Sequence, residues 1–134
     1  MYEDDINLNG VTVLVADDDI KNIFVLDTAL SEYGATVVRA KNGKEAVEKI
    51  KENTNIRIAL MDIMMPVMDG YEAIQTIRKD DSIKNIPIIA VTAKAMKEDR
   101  DKCLNAGANE YLSKPIDISK LLQLIKIWIG KKQR

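Results

Sequence analysis

The sequence predicts a doubly wound α/β fold: one five-stranded parallel sheet in the order 2-1-3-4-5, with five helices covering its two faces. Three observations point there. Short, β-branched, nearly all-apolar runs recur along the chain, the pattern of strands buried on both faces. Between them the apolar spacing switches to that of an amphipathic helix. The 134 residues suit a single core, one that buries roughly 65–70% of the unfolded surface, and leave no room for a separate effector domain. With short connections and right-handed crossovers, few other arrangements remain.

Val11–Ala16 reads as the first strand, and Asp17-Asp18-Asp19 ends it abruptly. In the following helix, Ile20–Tyr33, the side chains of Ile23, Leu26, Leu30 and Tyr33 share one face, and Gly34 is placed to stop it. Thr36–Ala40 is the second strand and Gly43–Lys51 its helix; Ile56–Met61 is the third strand, followed by a helix over Tyr71–Arg78. Ile86–Val91 supplies the fourth strand, Lys97–Ala106 a helix, Glu110–Leu112 a short fifth strand, and Ile118–Ile129 the last helix. The domain is expected over 9–130, with a mobile lead at 1–8 and a mobile tail at 131–134. In the last helix Leu121, Leu124, Ile125 and Trp128 form one stripe, which Ile118, Leu122 and Ile129 widen. Part of that face is expected to be exposed, with Trp128 either covering the sheet edge or offering a partner surface.

At 46% hydrophobic and 31% charged the chain is too apolar for disorder, and its apolar runs fall far short of a membrane span, so no membrane insertion is expected. A net charge of -1 lacks the general pull that drives nucleic-acid binding, and no direct DNA or RNA partner is expected. One cysteine, Cys103, and no histidine exclude an internal disulfide, a typical zinc site, Ser-His or Cys-His catalysis, and phosphohistidine donation by this chain. Met1 to Asn9 is acidic and polar where a secretory signal would be basic and then apolar, so a cytoplasmic location is expected. Chemistry is left to carboxylates, hydroxyls, lysines and a bound metal.

In open α/β sheets ligands bind outside the carboxyl ends of the strands, where the strand order reverses. Asp17, Asp18 and Asp19 follow the first strand, Asp62 the third, Thr92 the fourth and Lys114 the fifth. Taken singly, most have an ordinary explanation: the three aspartates could cap a helix, with Asp19 the natural cap, Thr92 could be a loop hydroxyl and Lys114 a surface lysine. Asp62 is harder to dismiss, because a lone acid ending a buried strand needs a partner or a metal. Three carboxylates near 5 Å apart would repel by about 3 kcal/mol per pair at an effective dielectric of about 20, so a cation belongs among them. Hard oxygen ligands in an incomplete cage suit Mg²⁺, which shares its coordination readily with a phosphate. With Lys114 and Thr92 as donors to a phosphoryl group, an aspartate nucleophile assisted by metal and lysine is the economical reading.

Four stretches resemble one known family. They are Val13-Leu14-Val15-Ala16-Asp17-Asp18-Asp19, Met61-Asp62-Ile63-Met64-Met65-Pro66-Val67-Met68-Asp69-Gly70, Val91-Thr92-Ala93-Lys94-Ala95 and Tyr111-Leu112-Ser113-Lys114-Pro115. Together, in that order and spanning about Leu8 to Ile129, they are similar to the receiver domains of two-component response regulators, the CheY-like family with its flavodoxin-like fold. The resemblance implies that Asp62 accepts a phosphoryl group from the phosphohistidine of a histidine kinase or histidine phosphotransfer protein. It implies Mg²⁺ (or Mn²⁺) held by Asp17, Asp18, Asp62 and the backbone carbonyl of Met64. It implies that Thr92 and Lys114 contact the phosphoryl oxygens, that Thr92 and Tyr111 act as the switch, and that the peptide before Pro115 is cis. The output would be a changed surface for a downstream protein, and the only catalysis self-phosphorylation and slow dephosphorylation. Asn22, Leu8-Asn9-Gly10 and Ala93-Lys94-Ala95-Met96 are most similar to receivers of hybrid histidine kinases. Met64 and Lys94 stand two residues after Asp62 and Thr92, where fast-cycling members are often polar, so a slow loss of the phosphoryl group is expected. Met61 and Met65 read as core, Met64 and Met68 as surface contacts.

Two other functions remain open at this point. Asp17 and Asp19 also form an Asp-x-Asp after the first strand, as in haloacid-dehalogenase-type phosphatases, although Asp117 is the only acid after Lys114 and no cap domain is expected. A non-phosphorylated interaction domain on the same fold is the other, and the intact set of Asp17, Asp18, Asp62, Thr92 and Lys114 argues against it.

Overall fold

A computed structural model describes residues 6–94 and 96–130. Among these described residues five strands and five helices alternate: β1 Thr12–Ala16, α1 Ile20–Glu32, β2 Thr36–Ala40, α2 Gly43–Glu52, β3 Ile56–Asp62, α3 Gly70–Lys79, β4 Ile88–Thr92, α4 Lys97–Ala106, β5 Glu110–Ser113 and α5 Ile118–Ile129. All strand pairs are parallel, in the order β2-β1-β3-β4-β5. The doubly wound fold expected from the sequence is the fold observed.

Alternate strand residues point to opposite faces, and each face has its own core. Leu14, Ala59, Met61 and Ala90 meet Ala46 and Ile50 of α2, Ile74 and Ile77 of α3, and Cys103 of α4. Val13, Val15, Ile58, Leu60, Ile89 and Leu112 meet Ile23, Leu26 and Leu30 of α1 and Leu121, Leu122 and Ile125 of α5. Helices α1 and α5 therefore share one face of the sheet, and α2, α3 and α4 the other. Met61 and Met65 are buried, Met64 is exposed, and Met68 is half-buried against the first cluster.

The differences from expectation have local causes. β4 starts at Ile88 rather than Ile86, because Pro87 has no N–H to give a ladder. Ile86 is buried in the preceding turn, its N–H donating to the Ile83 carbonyl and its own carbonyl taken by Arg78. Arg78 also donates to the carbonyls of Lys84 and Gly107 and to Asn109 Oδ1, all at 2.7–2.8 Å, tying two connections together at the end of the sheet where its strands begin. β3, β4 and β5 each run one residue further than expected, so Asp62 and Thr92 are the last residues of their strands.

Residues 1–5 and the tail at 131–134 lie outside the described residues. Ile6 and Leu8, expected within a mobile lead, are instead buried, and the Leu8 N–H donates to the Tyr33 carbonyl at 2.7 Å. The apolar character of those two side chains outweighs the polarity of their neighbours. On α5, Trp128 packs against the α1/α5 core and its indole N–H donates to Glu110 at 3.0 Å, so it covers the β5 edge of the sheet. The apolar face expected to be partly exposed is instead buried or half-buried at Ile118, Leu121, Leu122, Leu124, Ile125, Trp128 and Ile129; the exposed large apolar residue of the helix is Ile127, at 54%, which lies outside that face. Among the described residues, no helix is long and apolar enough to cross a membrane.

Candidate active site

The site lies at the carboxyl ends of β1, β3, β4 and β5. Asp17, Asp62 and Thr92 are buried there, while Asp18 is exposed. One carboxylate oxygen from each of Asp17, Asp18 and Asp62 lies within 4.8 Å of the other two.

Local hydrogen bonds fix each member. The N–H of Asp17 donates to the Ala40 carbonyl of β2 at 3.0 Å. Its Oδ1 accepts from the Asp19 N–H at 2.8 Å, and its Oδ2 accepts from the Asn22 amide at 3.3 Å. Asp19 is the cap of α1, accepting from the Lys21 N–H at 2.9 Å, so neither Asp17 nor Asp18 is spent on that task. Asp62 is aligned with Val91 of β4, and the next N–H, that of Ile63, donates to the Val91 carbonyl at 2.9 Å. The β3–α3 loop then turns tightly. The Met68 N–H donates to the Pro66 carbonyl at 2.7 Å across Val67, whose φ is 69°, and the Gly70 N–H returns to the Ile63 carbonyl at 2.9 Å. A Cβ on Gly70 would sit 2.4 Å from the Asp62 carbonyl oxygen, so only glycine fits where α3 starts.

Lys114 reaches in from the end of β5. Its N–H donates to the Thr92 carbonyl at 2.8 Å, its peptide bond to Pro115 is cis, and its Nζ lies 3.1 Å from Asp62 Oδ2 and 3.3 Å from Asp17 Oδ2. Thr92 Oγ1 accepts from the Lys94 N–H at 3.1 Å, which leaves its hydroxyl hydrogen to donate.

The electrostatics follow from burial and crowding. Burial raises the Asp62 pKa to about 6, helped by the charge of Asp17 and opposed by Lys114. Burial works against the charge on Lys114, but its contacts with Asp62 and Asp17 outweigh burial and raise its pKa. One ammonium cannot neutralise three carboxylates, and a donor set of carboxylate oxygens fits a hard divalent cation such as Mg²⁺.

The structure thus brings Asp17, Asp18, Asp62 and Lys114 together, with Thr92 at the adjacent strand end. Tyr111 stands apart, half-buried in a cleft lined also by Arg100, Leu104, Lys120 and Leu124. The side chains of Met64 and Lys94 are exposed. Beside the acids a cavity of about 450 Å³ opens between Asn22 and Val25 of α1 and Pro115, Ile116 and Ile118. Next to it Ile20, Phe24 and Val25 form an exposed apolar strip on α1. Sequence reasoning missed the Asn22 bond to Asp17 and the role of Gly70; each depends on a contact that only the folded chain creates.

The comparisons with known proteins agree with this geometry. The model of the response regulator receiver domain family matches residues 13–126. Hybrid signal transduction histidine kinase M of Dictyostelium discoideum is 38% identical over 126 residues, which are 91% of this chain and only 5% of that kinase. The receiver domain of sensor histidine kinase PA1611 of Pseudomonas aeruginosa, solved with a magnesium ion coordinated in its active-site cleft, superposes with a TM-score of 0.84 at 36% identity, covering 91% of this chain and 99% of that one. The receiver domain of the Saccharomyces cerevisiae response regulator Ssk1, solved in complex with the histidine phosphotransfer protein Ypd1, gives 0.83 at 31% identity, with 92% of both chains covered. With two buried acids and a lysine at the strand ends, the expected sheet order and a family match over most of its length, the chain belongs to the response regulator receiver domains of two-component signal transduction.

Proposed function

We propose that this domain receives a phosphoryl group on Asp62 from the phosphohistidine of a histidine kinase or histidine phosphotransfer protein, and signals by the change of surface that follows. The observation that carries this reading is Asp62 itself: a buried carboxylate at the end of β3, flanked by Asp17 and Asp18 and touched by Lys114 at 3.1 Å. An oxygen of Asp62 attacks phosphorus, the P–N bond to the donor imidazole breaks, and the electron pair leaves with the imidazole. Asp17, Asp18, Asp62 and the Met64 carbonyl would hold Mg²⁺ (or Mn²⁺), which when bound supplies positive charge to the phosphoryl oxygens. Lys114 passes from its carboxylate contacts to a phosphoryl oxygen, and Thr92 donates its hydroxyl to another. That pull on Thr92 frees space toward β5, and Tyr111 turns in from its half-buried position, changing the α4–β5–α5 surface read by a downstream protein.

A protein donor suits the surroundings, because the strip of Ile20, Phe24 and Val25 borders the acid pocket and would be covered on docking. The functional unit is a single receiver domain over 9–130 with Ile6 to Leu8 packed onto it, acting in the cytoplasm. Exposure to a phosphorylated histidine phosphotransfer protein, with and without Mg²⁺, tests the reading. It predicts metal-dependent transfer of one phosphoryl group that stays on the chain. Continuous release of inorganic phosphate with no retained label would indicate a phosphatase, and no transfer an inert interaction domain.

A further inference from the structure

We propose that Gly43, in the first turn of α2, is a positioning residue for the metal and phosphoryl site, acting through the β3–α3 loop. The proposal rests on the reading of Asp62 and the Met64 carbonyl given above.

Gly43 belongs to no strand end, and its position in the sequence suggests only the start of a helix. In the fold it touches the loop that follows Asp62. Its N–H, one of the four at the start of α2 that have no partner within the helix, donates to the Met68 carbonyl at 2.8 Å. A Cβ on Gly43 would lie 2.4 Å from that same oxygen, and 3.0 Å from both the Met68 carbonyl carbon and the Asp69 oxygen. These are backbone atoms and cannot swing aside as a flexible side chain would.

The loop has little slack to absorb such a push. On one side of Met68, the turn across Val67 holds a β-branched residue at φ 69°, a conformation such residues resist. On the other side, the Gly70 N–H is bound to the Ile63 carbonyl, and the Gly70 Cα sits against the Asp62 carbonyl without room for a Cβ. A displacement at Met68 therefore travels along residues 63–68 toward Met64 and the strand end bearing Asp62. Helix α2 thus sets the height of the loop, and the missing side chain at position 43 is what lets the loop come down to it.

A residue that only stabilised α2 would affect folding and not the metal. Mg²⁺ titration by calorimetry of the whole chain, in the parent, Gly43→Ala and Asn42→Ala, separates the two. Asn42 caps α2 by accepting from the Glu45 N–H at 2.8 Å, so Asn42→Ala weakens the same helix without entering the loop. Gly43→Ala is expected to bind Mg²⁺ about tenfold more weakly, the scale seen when outer groups that orient metal ligands are changed, while Asn42→Ala keeps the parent affinity. Parent affinity in Gly43→Ala, or an equal loss in both variants, would overturn the proposal. Should Gly43→Ala fail to fold, hydrogen exchange at the Gly43 amide of the parent decides: saturating Mg²⁺ is expected to slow it, and unchanged exchange would overturn the proposal. A parent that binds no Mg²⁺ would instead overturn the reading of the site on which the proposal is built.

Discussion

Replacing Asp62 by asparagine should make the metal-free protein more stable, although it removes the proposed acceptor. Burial and the neighbouring Asp17 raise the Asp62 pKa from 3.8 to about 6. At about 1.4 kcal/mol per pKa unit, keeping this group ionised in the folded state costs about 3 kcal/mol, the attraction of Lys114 already included. Asparagine keeps the shape without the charge, and Lys114 retains Asp17 at 3.3 Å. The pH dependence fixes the sign. Between the two pKa values the folded protein binds more protons at Asp62 than the unfolded chain, so the parent loses stability as pH rises through that window. The penalty is complete above about pH 6 and absent below about pH 4. Urea unfolding in EDTA, followed by circular dichroism, should show Asp62→Asn more stable by about 2–3 kcal/mol near neutral pH, the gain shrinking as the pH falls through 6 and vanishing near pH 4. A variant less stable than the parent near neutral pH, or a gain independent of pH, would show that the ionised Asp62 carboxylate does not destabilise the metal-free fold.

Asp18 is exposed but within 4.8 Å of the other two acids, so Asp18→Asn should raise the melting temperature in EDTA and lose that advantage in Mg²⁺; equal destabilisation in both conditions would remove it from the ligand set. Lys114→Met leaves Asp17 and Asp62 without their shared cation and should lower stability in EDTA by about 2 kcal/mol, a loss that saturating Mg²⁺ largely restores; a loss of the same size with Mg²⁺ would show that Lys114 acts in packing alone. The Met64 side chain has no hydrogen-bond donor and only a weak acceptor with which to hold a water, so Met64→Asn should shorten the lifetime of the phosphorylated form, and adding Lys94→Glu should shorten it further; decay unchanged in both would show that these exposed side chains do not control it.

The sheet order and its helices were legible because the central strands, buried on both faces, carry short unbroken apolar runs, and the helices between them carry one apolar stripe. The acids and lysine were legible because a parallel sheet delivers every strand end to one rim, so Asp17, Asp62, Thr92 and Lys114 could be placed without side-chain detail. The start of β4 is not legible in the apolar pattern, because Ile86 is as apolar and as buried as Ile88 while Pro87 between them breaks the ladder. The anchored Ile6 and Leu8 were hidden by polar neighbours. The bond from Asn22 to Asp17 and the close approach of Gly43 to Met68 join residues with no shared periodicity. The first forms only once the turn from β1 into α1 has closed, and the second only when the β2–α2 and β3–α3 connections are brought side by side.

If Asp62 carries the phosphoryl group, chemical mapping of the phosphorylated chain must find it there. After phosphorylation in Mg²⁺, borohydride reduction of the acyl phosphate and peptide mass analysis should place the modification at Asp62, with no labelling when excess EDTA is present or in Asp62→Asn. Modification at another residue, or full labelling of Asp62→Asn, would mean that Asp62 is not the acceptor.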